Sequence, residues 1–205
     1  MKVLRTLLAS LLLLAAGLAV LAVATHGFRA YTSETARRID IREHPRTVPS
    51  TPLQTADGQR TSFGELRGRW LLVDFIYTRC LTYCSVQGSE FARLQQELAG
   101  PIAADKVALL SISFDPARDD PTALADYQRR HGDRGTGWIA ARPVDRAGLA
   151  ELLHRFGVVA VPDGIGGFVH NAAIAVVDPG GRIVAILDWN DWQAAAGYVR
   201  RSLRS

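Results

Sequence analysis

Two cysteines, Cys80 and Cys84, stand four positions apart with Leu81, Thr82 and Tyr83 between them. They follow the apolar run Trp70 to Tyr77 and precede Val86 to Leu98, where Val86, Phe91, Leu94 and Leu98 recur with a helical period. A pair at the start of a helix meets the partial positive charge of that terminus, which favours thiolate. Thiolate is both a nucleophile and a soft metal ligand. The i, i+4 spacing brings both sulfurs to one side of a first turn, where they can close a disulfide or grip one ion. A purely structural bridge is the plain alternative, and over so short a loop it would contribute only about 2 kcal/mol.

Among the five histidines, His170 is set apart by its position after the glycine-rich stretch Gly157 to Gly167 and just before the apolar run Ala172 to Val177. His26 lies beside the N-terminal apolar run, His44 in a polar segment, and His131 and His154 on expected helices. Two thiolates and an imidazole suit copper, the sulfurs favouring Cu(I) and the nitrogen allowing Cu(II). Zinc would accept the same three with water as fourth ligand. Asp74 stands in the middle of an apolar strand, six residues before Cys80. Burial would raise its pKa and fit it to exchange protons with a cysteine; the alternative is a carboxylate bonded to backbone or arginine. The loop from Ser113 to Pro121 carries Asp115, Arg118, Asp119 and Asp120, and reads as a solvated turn with Asp120 as helix cap.

The elements around these residues read as one domain. Asp57-Gly58 between Leu53 and Phe63 signals a hairpin. Trp70 to Tyr77 and Lys106 to Phe114 are continuous apolar runs of strand length, as expected for strands covered on both faces. Pro121 to His131 and Asp145 to Phe156 read as helices. Ala172 to Val177 and Arg182 to Leu187, joined by Asp178-Pro-Gly-Gly181, form an antiparallel pair before a last helix from Trp192 to Leu203. This is an α/β order, matching a thioredoxin-like fold with a mixed central sheet flanked by helices, an inserted helix and an N-terminal hairpin.

The 205 residues hold 24 Lys+Arg against 20 Asp+Glu. Residues 1–30 contain Lys2, Arg5 and Arg29 and no acid, so the remainder carries 21 − 20 = +1. With no clustered basic face, a nucleic-acid partner is not expected. Two cysteines exclude an all-cysteine iron–sulfur or zinc site, and the sole methionine, Met1, supplies no thioether inside a fold. Leu7 to Ala24 is apolar apart from Ser10 and Gly17, and its eighteen residues span about 27 Å as a helix, close to the roughly 30 Å of bilayer hydrocarbon. Basic residues ahead of it put the domain on the extracytoplasmic side. A cleaved signal peptide ending at Ala22-Val23-Ala24 is the alternative. Either reading takes the cysteines to an oxidising compartment. The expected organisation is an N-terminal anchor over 1–30, a polar tether over 31–49 and a thioredoxin-like domain over 50–205.

Phe75-Ile-Tyr-Thr-Arg-Cys80 with Cys84, Ser113-x-Asp115-Pro116-x-Arg118-Asp119-x-Pro121-x-x-Leu124, and His170 followed by a strand and Asp178-Pro179-x-Gly181 occur in fixed order. In these motifs the chain resembles the Sco/SenC family of membrane-anchored, thioredoxin-like copper proteins, from about Leu53 to the final helix. The resemblance implies that Cys80, Cys84 and His170 are copper ligands. It implies a role in building the dinuclear copper centre of cytochrome c oxidase, as metallochaperone, as thiol reductant of the copper-binding subunit, or as both. It places the protein in the inner membrane with its domain in the periplasm. The chain departs from the pattern at Leu81 and Ser85, where the family commonly has proline, and at Val169, where an aspartate usually precedes the histidine. The enzyme alternative is a membrane-tethered thiol–disulfide oxidoreductase acting through Cys80 and Cys84, served by Asp74.

Overall fold

The computed structural model describes residues 2–80 and 83–204, with the side chains of 83–85 outside the description. The apolar N-terminal run forms α1 (Lys2–Ala24), which buries none of its residues. It is the one helix among the described residues long and apolar enough to cross a membrane.

The segment expected as a tether contains a docked helix, α2 (Ser33–Glu43), capped by the Thr32 hydroxyl. It lies against a strand from late in the chain, β10 (Arg182–Asp188). Ile41 is its one buried residue, and arginines supply the other contacts. Arg37 donates to the carbonyls of Phe156 and Gly157 at 3.0 Å each, and Arg38 meets Asp188 at 2.7 Å. Arg29, ahead of the helix, pairs with Glu43 at its end. A single inward apolar residue leaves no period to read, so polar attachment hid this helix from pattern analysis.

The chain then gives β1 (Arg46–Thr47) and the hairpin β2 (Pro52–Thr55) and β3 (Arg60–Ser62), turning at Gly58 with φ +80°. Next come β4 (Trp70–Ile76), α3 (Tyr83–Glu97), α4 (Ala99–Ala103), β5 (Val107–Ser113) and α5 (Pro121–Arg130). The remaining elements are β6 (Trp138–Pro143), α6 (Arg146–Phe156), β7 (Ala160–Pro162), β8 (Phe168–His170), β9 (Ala173–Val177), β10 and α7 (Trp192–Ser202). Eight strands form one mixed sheet in the order β1-β10-β9-β4-β5-β6-β2-β3. β4, β5 and β6 run parallel, while β9 runs antiparallel to β4 and β10 antiparallel to β9. This is the thioredoxin-like core, extended at one edge by the hairpin and at the other by β1. β6 and the β7–β8 ribbon were not apparent in the sequence, where Gly157 to Gly167 reads as loop.

Alternation along β4 divides the core. Leu71, Val73, Phe75 and Tyr77 pack with Ile41 of α2 and with Leu152 and Phe156 of α6. Leu72 and Ile76 pack with Phe91 and Leu94 of α3, Tyr127 of α5 and Val199 of α7. The C-terminal ends of β4, β5 and β6 and the start of β9 therefore share one end of the sheet. The candidate site lies there.

Candidate functional site

Cys80 ends a tight turn after β4, its N–H donating to the Tyr77 carbonyl at 3.2 Å. It is half-buried against the core cluster that holds Tyr77 and Phe114. Cys84 belongs to the first turn of α3, so the helix begins just ahead of it; its side chain lies outside the described residues.

A fully buried carboxylate holds that turn. Asp119 accepts the Thr78 N–H at 3.0 Å, the Thr78 hydroxyl at 2.7 Å and the Ser113 hydroxyl at 2.6 Å. From the other side, Arg130 at the end of α5 donates to the Thr78 carbonyl at 2.9 Å. Both backbone polar groups of the residue two before Cys80 are thereby fixed. Asp115, also buried, receives Arg79 at 3.1 Å and Arg118 at 3.3 Å. The expectation of a solvated turn over this loop holds for the exposed Arg118 and for Asp120, which caps α5 by accepting the Ala123 N–H at 2.8 Å. Asp119 faces inward because Ser113 and Thr78 leave polar groups at the strand ends that need partners, and Asp115 is buried under the guanidiniums of Arg79 and Arg118. The signal was Ser113 closing the mostly apolar β5.

His170 enters on β8, with Ala160 opposite it on β7. Its ring lies 5.0 Å from that of Phe114 at 61°, and Phe114 and Tyr77 each sit 5.3 Å from Phe168. Tyr77, Phe114 and Phe168 thus form one aromatic floor under His170, and the turn that leaves Tyr77 ends at Cys80. Two further contacts tie the ribbon to the cysteine turn: Arg79 donates to the Gly166 carbonyl at 3.1 Å, and the Tyr77 hydroxyl receives the Phe168 N–H at 3.4 Å. At the ribbon's base Asn171 receives the Val159 N–H at 2.7 Å and donates to the Gly157 carbonyl at 3.0 Å. Burial holds the His170 imidazole below its ordinary range, so the neutral, ligating form prevails at neutral pH. Val169 points away on the opposite face of the ribbon, 69% exposed, across from Val161. A carboxylate at that position would stand on the outer face.

Asp74 is fully buried in the middle of β4, on the face turned to α3 and across from Ser111 of β5. Its carboxyl oxygens have no hydrogen bond of normal geometry among the described residues. Burial pushes its pKa up to about 8, and the neighbouring Ser111 hydroxyl opposes this only in part. That hydroxyl is already engaged, accepting from Trp138 Nε1 at 2.9 Å. Among the described residues no three His, Cys, Asp or Glu side chains gather closely enough to hold a metal ion.

The SCO1/SenC family profile matches residues 40–201, a span that contains every residue of this site. The chain belongs to the SCO1/SenC family. Among its Sco relatives, the SCO1 homologue of Bacillus subtilis is 27% identical over 133 residues, 64% of this chain and 68% of that protein. The structure of Bradyrhizobium japonicum ScoI with copper bound superposes with a TM-score of 0.65 at 27% identity, over 76% of this chain and 98% of that one. The structure of BsSco, described for a disulfide switch in a member of the Sco family of cytochrome c oxidase assembly proteins, gives a TM-score of 0.67 at 21% identity, over 77% and 94% of the two chains. The ribbon carrying His170 and the loop carrying Asp119 fall inside the Sco match, whereas α1 precedes it.

Proposed function

We propose that this chain is a membrane-anchored copper carrier serving the dinuclear copper centre of cytochrome c oxidase, with Cys80, Cys84 and His170 as ligands. The observation that carries the reading is that a neutral His170 packs on the aromatic floor whose Tyr77 receives the Cys80 N–H on its carbonyl, at the end of the sheet where α3 begins. The donor set fits copper: two soft thiolates hold Cu(I), and the imidazole supports Cu(II). Copper here is cargo, and its presence in the B. japonicum relative supports the assignment. α1 anchors the domain on the periplasmic face of the inner membrane, within reach of the oxidase subunit that receives the metal. Reduced full-length protein in neutral detergent should take up one equivalent of Cu(I) in competition with a chromophoric chelator. Cys80→Ser should weaken that binding by about 100-fold or more, since it removes a charged soft ligand. Absence of stoichiometric uptake by the reduced protein would remove the reading.

The buried Asp74 favours a second activity at the same cysteines, reduction of a disulfide in the client. Cys80 thiolate attacks a client sulfur, forming a mixed disulfide and releasing the other client thiolate. Cys84 then attacks the Cys80 sulfur, closing the internal disulfide and releasing the client's second thiolate. The two electrons leave with the client dithiol, and Asp74 exchanges protons with the cysteine pair. Cys84→Ser should trap the mixed disulfide on non-reducing gels, and His170→Ala should leave exchange intact. Loss of exchange in His170→Ala would contradict a separate thiol activity.

A further inference from the structure

Away from the cysteine site, on the opposite side of the loop that carries Asp119, lies a cavity of about 410 Å³ between β2, β6 and the start of α6. Its walls include Arg60, Arg142 and Arg146, and none of the three has an acidic partner among the described residues. What sets them apart from other unpaired arginines is that all three line one cavity. The one acid in the wall, Asp145, is turned to its own helix, where it accepts the Gly148 N–H at 2.7 Å.

Arg142 gives this cavity a fixed cation. Its guanidinium donates from Nε and Nη2 to Gln54 Oε1 at 3.2 and 2.8 Å, and from Nη1 to the Pro116 carbonyl at 2.7 Å. All these acceptors are neutral, so the side chain is held in place with its charge uncompensated. Arg60 and Arg146 are exposed at the rim and free of that constraint. A fixed positive charge flanked by two exposed guanidiniums is a chelating arrangement for an oxyanion: Arg142 supplies its charge and its remaining Nη2–H, and the open forks of Arg60 and Arg146 each match two oxygens of a phosphate or carboxylate.

We infer that this cavity binds a small molecule carrying a multivalent oxyanion, phosphate or polycarboxylate, through Arg60, Arg142 and Arg146. The volume admits a group larger than a bare ion. Through the Pro116 carbonyl the bound group lies one residue from Asp115, which holds Arg79 of the cysteine turn. The site needs neither copper nor the thiols, so its test stands apart from the proposed function.

The test is thermal unfolding of the full chain in neutral detergent, with phosphate or citrate at 20 mM against chloride at equal ionic strength. At a dissociation constant near 1 mM, linkage raises the midpoint by roughly 4 °C for a domain of this size. Arg60→Gln with Arg146→Gln should unfold normally in chloride and lose that rise, and Arg60→Gln alone should lose part of it. A rise with phosphate only marks a phosphate site, and a rise with citrate only marks a carboxylate site; either supports the inference if it disappears in the variant. An equal rise in the variant, or none with either anion, overturns it.

Discussion

Asp119→Ala is expected to lower the unfolding midpoint by roughly 10 °C and to weaken copper binding by about tenfold or more. The substitution strips three donors at once, the Thr78 N–H and the hydroxyls of Thr78 and Ser113, all inside the protein. Each buried donor left without a partner costs about 1–3 kcal/mol, and a domain of this size loses roughly 2–4 °C per kcal/mol. The loss of affinity follows because the Thr78 backbone sets the turn that presents Cys80. Asp119→Asn, which keeps one carbonyl acceptor, should fall between wild type and alanine in both respects. Leu53→Ala makes the necessary comparison: it empties a fully buried position on β2 and should cost about 2–5 kcal/mol. If Leu53→Ala matches Asp119→Ala in midpoint yet keeps copper affinity, the carboxylate acts on the cysteine turn. Equal loss of affinity in both would assign it a general stabilising role.

Asp74 makes stability fall as pH rises through the neutral range. Its folded pKa of about 8 stands above the unfolded value of 3.8, so between them the folded state holds a proton that the unfolded state has lost. Stability then decreases by about 1.4 kcal/mol per pH unit up to pH 8 and levels off above it. The half-buried His131 and His170 have lowered pKa values and act below neutrality, where stability rises with pH. Asp188, held low by Arg38, is ionised in both states at neutral pH. Cys80 and Cys84 also titrate between pH 7 and 8, so the contribution of Asp74 is read as the difference between wild type and Asp74→Asn. Urea unfolding should show stability falling more steeply there in the wild type than in Asp74→Asn, with the variant gaining relative stability at pH 8. The same pH dependence in wild type and Asp74→Asn would contradict a protonated Asp74.

Much of this architecture could be read from residue types. Asp120-Pro121 and Asp145 mark helix starts by capping chemistry, and the apolar runs of β4 and β5 declare strands buried on both faces. β6 escaped because Trp-Ile-Ala-Ala-Arg-Pro has little strand preference of its own and is a strand by pairing between β5 and β2. The β7–β8 ribbon escaped because its glycines and proline read as loop, though Asp163 closes its tip by accepting the N–H groups of Ile165 and Gly167. α2 escaped because ion pairs, not an apolar stripe, hold it. In the site, cysteine and histidine announce themselves by chemistry and by position after strands. Asp119 and Arg79 do not, because an acid- and arginine-rich loop looks solvated until the strand ends it serves are placed beside it.

The central claim is that His170 completes a copper site with the two cysteines. Its most direct test is electron paramagnetic resonance of the full-length protein loaded with one equivalent of Cu(II), beside His170→Ala. With two thiolates and an imidazole as ligands, the spectrum should show nitrogen superhyperfine coupling together with an intense sulfur-to-copper charge-transfer absorption. In His170→Ala the nitrogen coupling should vanish and Cu(II) retention should fall, while Cu(I) still binds through the thiolates. A nitrogen signature that persists unchanged in His170→Ala would contradict the account.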